Sequence, residues 1–291
     1  MRIWIMAARP RTLPAAVAPV LVGTALAIAA SDDLRPGAFV AALLGSIFIQ
    51  VGTNLSNDYS DARRGADTED RLGPVRVTAG GLVPPRRVLV ATYLSFAAAV
   101  LCGVYLIALA GPVLLAIGAA SILAGVLYTG GPRPYGYEGL GEVFVFLFFG
   151  LVAVTGSYFV QAEQVTWEAF ALAVPVGLLA AAILVVNNVR DLETDRRAGK
   201  RTLAVRLGRR RTRALYGVMV YGAFVSALIP WALGSLSAWL ALVLVLTPAA
   251  VFLVRTVTGH ADGPTLNTAL ARTGMLQLGF CVLLSAGLLA S

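Results

Sequence analysis

Nine apolar runs, near residues 12–30, 37–56, 88–110, 112–129, 140–161, 168–188, 213–233, 236–255 and 266–290, occupy most of the chain. Each is close to the roughly 20 residues that a helix needs to cross the hydrocarbon core of a bilayer. The chain is 58% hydrophobic and 13% charged, with a mean hydropathy of +0.80; a soluble domain carries about 25% charged residues. The reading is an all-α membrane protein with about nine transmembrane helices. The opening "MRIWIMAARPRTLPAAVAPVLVGTALAIAA" is basic at its start, but its apolar run is of membrane length and no clear cleavage site follows. It reads as a retained first helix rather than a signal peptide.

A net charge of +8 raises the possibility of nucleic acid, and the distribution of the charge argues against it. Counting from a cytoplasmic N-terminus, all but one of the 23 basic residues fall in segments on one side. Arg35 is the exception, beside Asp32 and Asp33, and the acidic "QAEQVTWE" is on its side. That is the positive-inside pattern, with the N-terminus inside and the C-terminus outside. Aromatics interleaved with the basic residues, as a nucleic-acid surface would show, are missing. Cys102 and Cys281 both lie in apolar runs and offer no disulfide framework or metal pair. His260, the only histidine, cannot form an imidazole metal site by itself.

Two of the inside loops, 57–87 and 189–212, stand out by length and charge. The first opens with "NLSNDYSDARRGAD" and the second with "NNVRDLETDRRAGKRTLAVRLG", each at the end of an even-numbered helix. Carboxylates at a helix C-terminus oppose the macrodipole, so something positive is expected there. Asn187, Asp191 and Asp195 are spaced i, i+4, i+8; at about 100° per residue they drift only about 80° around a helix. Asn54, Asp58 and Asp61 are spaced i, i+4, i+7 and share a similarly narrow sector. Asp67 follows after Gly65, where the chain can turn back. Hard oxygen ligands one turn apart suit Mg²⁺, commonly held by one or two carboxylates plus water and substrate phosphates. Facing cassettes would therefore hold a metal-bridged diphosphate, with Arg63 and Arg64, and Lys200 and Arg201, as direct cationic partners. Glu69, Asp70, Arg71 and Arg209 to Arg211 read as an ordinary solvated surface, and so, as a loop residue, does Asp67. Recurrence of the cassette four helices later predicts two parallel four-helix repeats, about 12–129 and 140–255. An extra helix near 266–290 completes a single domain over 1–291, with a site between the repeats.

At these residues the chain resembles the UbiA superfamily of intramembrane aromatic prenyltransferases, whose two aspartate-rich motifs take the form NxxxDxxxD or close variants. "NNVRDLETD" matches that form fully. "NLSNDYSD" matches NxxxD but brings its next aspartate, Asp61, one residue early, which leaves open whether Asp61 or Asp67 completes the first metal site. Within the superfamily, "ARPRTLPAAVAPVLVGT", "NDYSDARRGADTEDRLGPVRVTAGG", "YTGGPRPYGYEGLGEVFVFLFFGLVAVTGSYF" and "GKRTLAVRLG" look most like the branch that prenylates 1,4-dihydroxy-2-naphthoate in menaquinone synthesis. The last three helices add only generic apolar sequence.

The resemblance implies a lipid-open central cavity and C-prenylation of an aromatic acceptor by a polyprenyl diphosphate. Asp58, Asp61, Asp191 and Asp195 would hold Mg²⁺, with Asn54 and Asn187 as amide partners. Arg64, Arg133, Lys200 and Arg201 would neutralise the diphosphate, and the acceptor's carboxylate would leave as CO₂. Other acceptors, such as 4-hydroxybenzoate or homogentisate, fit the same metal motifs. A proton- or cation-coupled transporter would instead carry its acids near mid-membrane.

Prolines and glycines exclude a helix from Gly130 to Gly136, and this loop is expected to cover the site, with Tyr128 and Arg133 reaching the diphosphate. "FVFLFFG" offers either packing or an aromatic face for a cation. Arg9 and Arg11 read as a topological anchor or as contacts to the acceptor's carboxylate. Glu142, just inside the fifth helix, needs a partner that the sequence does not identify. Heavy Ala, Val, Leu and Arg use suggests a GC-rich bacterial gene, hence a plasma-membrane location. No sequence feature decides prenyl chain length or oligomeric state.

Overall fold

A computed structural model describes residues 2–66 and 72–291; Asp67, Glu69, Asp70 and Arg71 lie outside the described residues. Eight helices among the described residues are long and apolar enough to cross a membrane, and one further apolar helix is shorter. In chain order they are α1 (Pro14–Ser31), α2 (Pro36–Arg63), α3 (Pro85–Ala110), the shorter α4 (Val113–Leu127), α5 (Gly141–Ala162), α6 (Trp167–Arg197), α7 (Arg209–Ala232), α8 (Ala238–Gly259) and α9 (Gly263–Leu289). They match the nine apolar runs one for one. A short helix, Arg2–Ala8, precedes them.

The helix starts follow local chemistry. Proline occupies the first turn of α1, α2, α3 and α9, where its missing N–H costs nothing. Thr166 caps α6, accepting from the Ala169 N–H. Helix α4 stops at Leu127 because Gly130, Gly131 and Pro132 follow, with Gly131 at φ 73° in the left-handed region. The α4–α5 loop stays out of an α-helix as expected, although a 3₁₀ turn over Tyr135–Glu138 begins inside the Gly130–Gly136 stretch.

Helix α6 is the centre of the fold. Its side chains are buried on all sides over most of its length, from Ala169 to Leu192, as a helix apolar around its whole circumference must be. Helices α5, α7 and α9 pack on it, and α1 lies between α5 and α9. One turn of α5, Phe146–Val152, is a π-helix, and within it Gly150 passes Gly177 of α6 at backbone contact. A Cβ on Gly150 would lie 2.6 Å from the Gly177 Cα. In membranes, small residues of this kind let helices approach closely enough for dispersion to hold them.

The other half is looser. Helix α3 runs back along α2, and α4 packs on both. Helix α3 buries only Val88, Thr92, Phe96 and Ala99, while Tyr93, Leu94, Leu101 and Val104 are exposed, an apolar outer face suited to lipid. A small cluster of Ala7, Leu55, Val77, Val83 and Val88 holds the N-terminal helix and the loop before α3 against the end of α2. At the opposite end of the bundle, the Arg35 N–H donates to Gln161 Oε1 at 2.8 Å and the Arg35 guanidinium pairs with Glu163. Both cysteines are free thiols.

Candidate active site

Helices α2 and α6 both continue past their apolar runs, so the two acidic cassettes are helical and end on the same side of the bundle. Between them lies a cavity of about 520 Å³, walled by α1 to α6. Its walls are largely apolar, with Ile49, Ile107, Ile122, Phe148, Val152 and Leu184 among them, and its charged groups gather at the cassette end. Of the residues expected at the site, Asn54, Asp61, Tyr128, Asn187, Asp191, Asp195 and Lys200 line this one cavity.

Asp61 is 1% exposed and is reached by three loops. Tyr137 Oη donates to its Oδ1 at 2.6 Å, Arg76 donates to Oδ2 at 3.0 Å, and Lys200 Nζ lies 3.7 Å from Oδ2. Lys200 also lies 4.0 Å from Asp195 Oδ1. Asp191 is neutralised differently. The guanidinium of its own neighbour, Arg190, forks onto both carboxylate oxygens at 2.7 and 2.6 Å. Arg190 is itself only 2% exposed and also donates to Asn187 Oδ1 and Asn267 Oδ1.

Asp58 is placed otherwise than expected. Its two oxygens accept the main-chain N–H groups of Val77 and Thr78 at 3.0 and 2.9 Å, and it does not line the cavity. Its sector of α2 faces the returning loop, whose unpaired N–H groups capture it. Asn54, although on the wall, donates to the Ala8 carbonyl and to Thr12 Oγ1. Arg11, Arg64, Arg133 and Arg201 are exposed and outside the cavity lining. The Arg64 side chain donates to the Gly131 carbonyl. Arg9 lines the cavity instead of Arg11, because its left-handed backbone (φ 54°) turns the chain into the 3₁₀ segment Pro10–Thr12.

Sequence reasoning missed Asn57, Arg76, Tyr137, Asn188 and Thr202, all on the cavity wall. Asn57 had a signal: it stands four residues before Asp61 as Asn187 stands four before Asp191. Pairing the cassettes by those residues, rather than by Asn54 and Asp58, matches the cavity-facing positions. Arg76 and Tyr137 had none, since they reach Asp61 only through the return of distant loops.

Glu142 is buried, and its partner is the amide of Asn188, which donates to Oε1 at 2.8 Å. Tyr128 lines the cavity with its ring edge-on to Tyr135, 5.5 Å between centroids. Tyr135 stacks on Phe144 at 4.0 Å between ring centroids, and Phe144 on Phe148 at 6.1 Å, forming an aromatic strip along the cavity.

The residues fit a divalent cation of a particular kind. Among the described residues no group of three or more His, Cys, Asp or Glu forms a one-ion cage. Each cassette instead offers one or two carboxylates and an amide to a shared space, the donor set typical of Mg²⁺ completed by water and phosphate oxygens. In this structure Arg76, Lys200 and Arg190 balance the charge of those carboxylates.

Solved structures of the same fold include a UbiA homolog from Archaeoglobus fulgidus bound to GPP and Mg²⁺. It is 15% identical, with a TM-score of 0.71 over 99% of this chain and 100% of that one. A UbiA homolog from Aeropyrum pernix K1 is 14% identical, with a TM-score of 0.69 over 96% and 97%. In sequence, the chain is 42% identical to the 1,4-dihydroxy-2-naphthoate octaprenyltransferase of Mycobacterium tuberculosis, covering 98% of this chain and 96% of that one. It is 37% identical to the enzyme of the same name from Escherichia coli, covering 93% and 89%. The UbiA prenyltransferase family pattern matches residues 16–283. With a family match over nearly its whole length and relatives this similar, the chain belongs to the UbiA prenyltransferase family.

Proposed function

We propose that the enzyme transfers a polyprenyl group from its diphosphate to 1,4-dihydroxy-2-naphthoate, with Mg²⁺ and with loss of CO₂, in menaquinone synthesis. One observation carries the reading most: Asp61, Asp191, Asp195 and Lys200 meet at one end of a cavity whose remaining walls are largely apolar. That combination suits a substrate with a charged head and a hydrocarbon tail. The relatives named for the naphthoate acceptor support the choice of acceptor.

Asp61 with Asn57 and Asp191 with Asn187 and Asp195 would hold the metal, and Lys200 and Arg76 would take diphosphate oxygens directly. Bound Mg²⁺ supplies charge neutralisation for the departing diphosphate. Asp58 serves this site indirectly, by fixing the loop that carries Arg76. Arg64, Arg133 and Arg201, at the rim, would draw the diphosphate inward. The C–O bond to the diphosphate breaks, and the ring carbon that bears the carboxylate forms the new C–C bond. The carboxylate then leaves as CO₂, returning its bonding pair to the ring. The apolar wall excludes water that would otherwise capture the allylic cation, and the strip Tyr135, Phe144 and Phe148 offers it a negative π-face. Arg9, with Thr12 and Gln50 beside it, would receive the acceptor's carboxylate. Two four-helix repeats, α1–α4 and α5–α8, with α9 added, account for the paired cassettes. The one-sided distribution of basic residues supports a cytoplasmic cassette end with the C-terminus outside, and the bacterial relatives support a plasma-membrane location.

The test uses purified protein in lipid with a radiolabelled polyprenyl diphosphate and carboxyl-labelled 1,4-dihydroxy-2-naphthoate, with and without Mg²⁺. Prenylated product with release of labelled CO₂ only when Mg²⁺ is present is the expected result. Product with a different aromatic acceptor alone would keep the chemistry and overturn the acceptor.

A further inference from the structure

We propose that Tyr137 is the positioning residue that couples the two cassettes: its phenol orients Asp61 of the first, and its ring face and carbonyl seat Lys200 and Arg201 of the second. The inference rests on the metal–diphosphate reading above and assigns a role to a residue outside both aspartate motifs.

Tyr137 lies in the 3₁₀ turn Tyr135–Glu138, which Pro134 starts and Gly139 ends in the left-handed region. Its position is therefore set by the backbone of the α4–α5 loop and not by either cassette. From there its hydroxyl donates to Asp61 Oδ1 at 2.6 Å, within the short range of an O–H donor on a carboxylate. The bond holds Asp61 through one oxygen and leaves Oδ2, shared by Arg76 and Lys200, as the oxygen free to exchange those cations for a metal.

The ring of the same residue carries charge on its face. Lys200 Nζ lies 4.8 Å from the ring centroid, and the Arg64 guanidinium carbon lies 5.9 Å from it. Both are within the roughly 6 Å over which a cation is attracted by an aromatic face. The Tyr137 carbonyl accepts the Arg201 N–H at 2.8 Å, which fixes the turn after α6 at the residue next to Lys200. A lysine has four rotatable bonds, and holding one at a substrate phosphate costs side-chain entropy. The ring reduces that cost by keeping Nζ between Asp61 and Asp195 before substrate arrives. When the diphosphate enters, Lys200 needs to move only from the carboxylates to the phosphate, while Tyr137 keeps Asp61 in register.

Two variants separate the two contributions. Tyr137→Phe keeps the ring and removes the hydroxyl, and Tyr137→Leu removes both. The first readout is thermal stabilisation of the protein in lipid by Mg²⁺ with inorganic diphosphate, which needs no turnover. Tyr137→Phe is expected to raise the Mg²⁺ concentration for half-maximal stabilisation about tenfold, as loss of one charge-assisted hydrogen bond would do. Tyr137→Leu is expected to add a rise of about three- to tenfold in KM for the prenyl diphosphate, as loss of a partly desolvated cation–π contact would do. In both variants the loss should fall more on KM and on the Mg²⁺ requirement than on kcat.

A purely structural tyrosine would lower the melting temperature without ligand and leave the Mg²⁺ dependence where it was, and that result overturns the proposal. If Tyr137→Leu fails to fold, the near-isosteric Tyr137→Phe decides alone. A wild-type protein without Mg²⁺-dependent stabilisation would overturn the metal reading and this inference together. A wild type that responds normally, with Tyr137→Phe indistinguishable from it, would overturn this inference only.

Discussion

The two cassettes have similar sequences and opposite ways of balancing their charge. Asp191 is neutralised locally by the adjacent Arg190, which is fixed by Asn187 on the same helix and by Asn267 on α9. Asp61 is neutralised by Arg76 and Lys200 and hydrogen-bonded by Tyr137, and these three come from three different loops. The difference follows the packing. The second cassette ends α6, the most enclosed helix, where an unpaired charge could not be tolerated even briefly. The first ends α2 in the looser half, where the charge is balanced by side chains from loops folded over the helix end. One cassette is a prebuilt anchor and the other an assembled clamp.

Turnover should not distinguish them. Asp61→Asn and Asp191→Asn are each expected to lose about 10²–10³ in product formation, the scale for removing one group that stabilises transition-state charge. Activity near that of the wild type in either variant would take that residue out of the metal site.

Stability should separate them. Asp191→Ala leaves Arg190 buried without its carboxylate, at a cost of about 3–5 kcal/mol. Replacing both residues by apolar ones, Arg190→Met with Asp191→Leu, should restore most of the melting temperature but none of the turnover. In Asp61→Ala the loss is spread over two cations, of which Lys200 keeps Asp195 beside it, so its loss of melting temperature should be clearly smaller. Equal losses in the two alanine variants would break the comparison.

Asp58→Ala removes two charge-assisted hydrogen bonds to the main chain of Val77 and Thr78, a loss of about 3 kcal/mol at the lower end of the range for two such bonds. It also releases the loop carrying Arg76, so the Mg²⁺ requirement should rise while a fraction of turnover remains. Complete inactivity in a variant with normal melting would return Asp58 to the metal shell.

The smallest effect concerns the helices behind each cassette. A Cβ on Gly177 would lie 2.9 Å from the Phe146 carbonyl oxygen and 3.0 Å from the Gly150 Cα, main-chain atoms that cannot step aside. Gly177→Ala should therefore cost about 1–3 kcal/mol by overpacking. The nearest atoms to a Cβ on Gly125 belong to the Thr53 side chain, chiefly its Oγ1, which can rotate away. Alanine's helix propensity, better by about 1 kcal/mol, should leave Gly125→Ala close to neutral. Thermal melting of the two variants side by side checks both.

How far the sequence could be read depended on how local each feature is. Among the described residues, the eight helices of membrane length and the shorter α4 were legible, because apolar runs and proline at helix starts act within a single segment. The carboxylates of the second cassette were equally legible, since Asn187, Asp191 and Asp195 share a face by helical spacing alone. Arg190 was seen only as a topological charge, because residues adjacent on a helix do not normally face each other, and here the long side chain folds back. Glu142 was noticed as needing a partner, yet Asn188 could not be named across a helix–helix contact.

The order of residues, through hydropathy and helical period, sets the membrane fold, the side on which charge collects and the two helix ends where carboxylates gather. It did not determine which carboxylate faces the cavity. Asp58 and Asp61 are three positions apart on α2, only about 60° around the helix, and spacing allows either. The tertiary structure decided between them by what arrives opposite: the N–H groups of Val77 and Thr78 claim Asp58, while Tyr137, Arg76 and Lys200 converge on Asp61. The partners of Asp61 come from three separate loops, and only the closed fold brings them around one side chain.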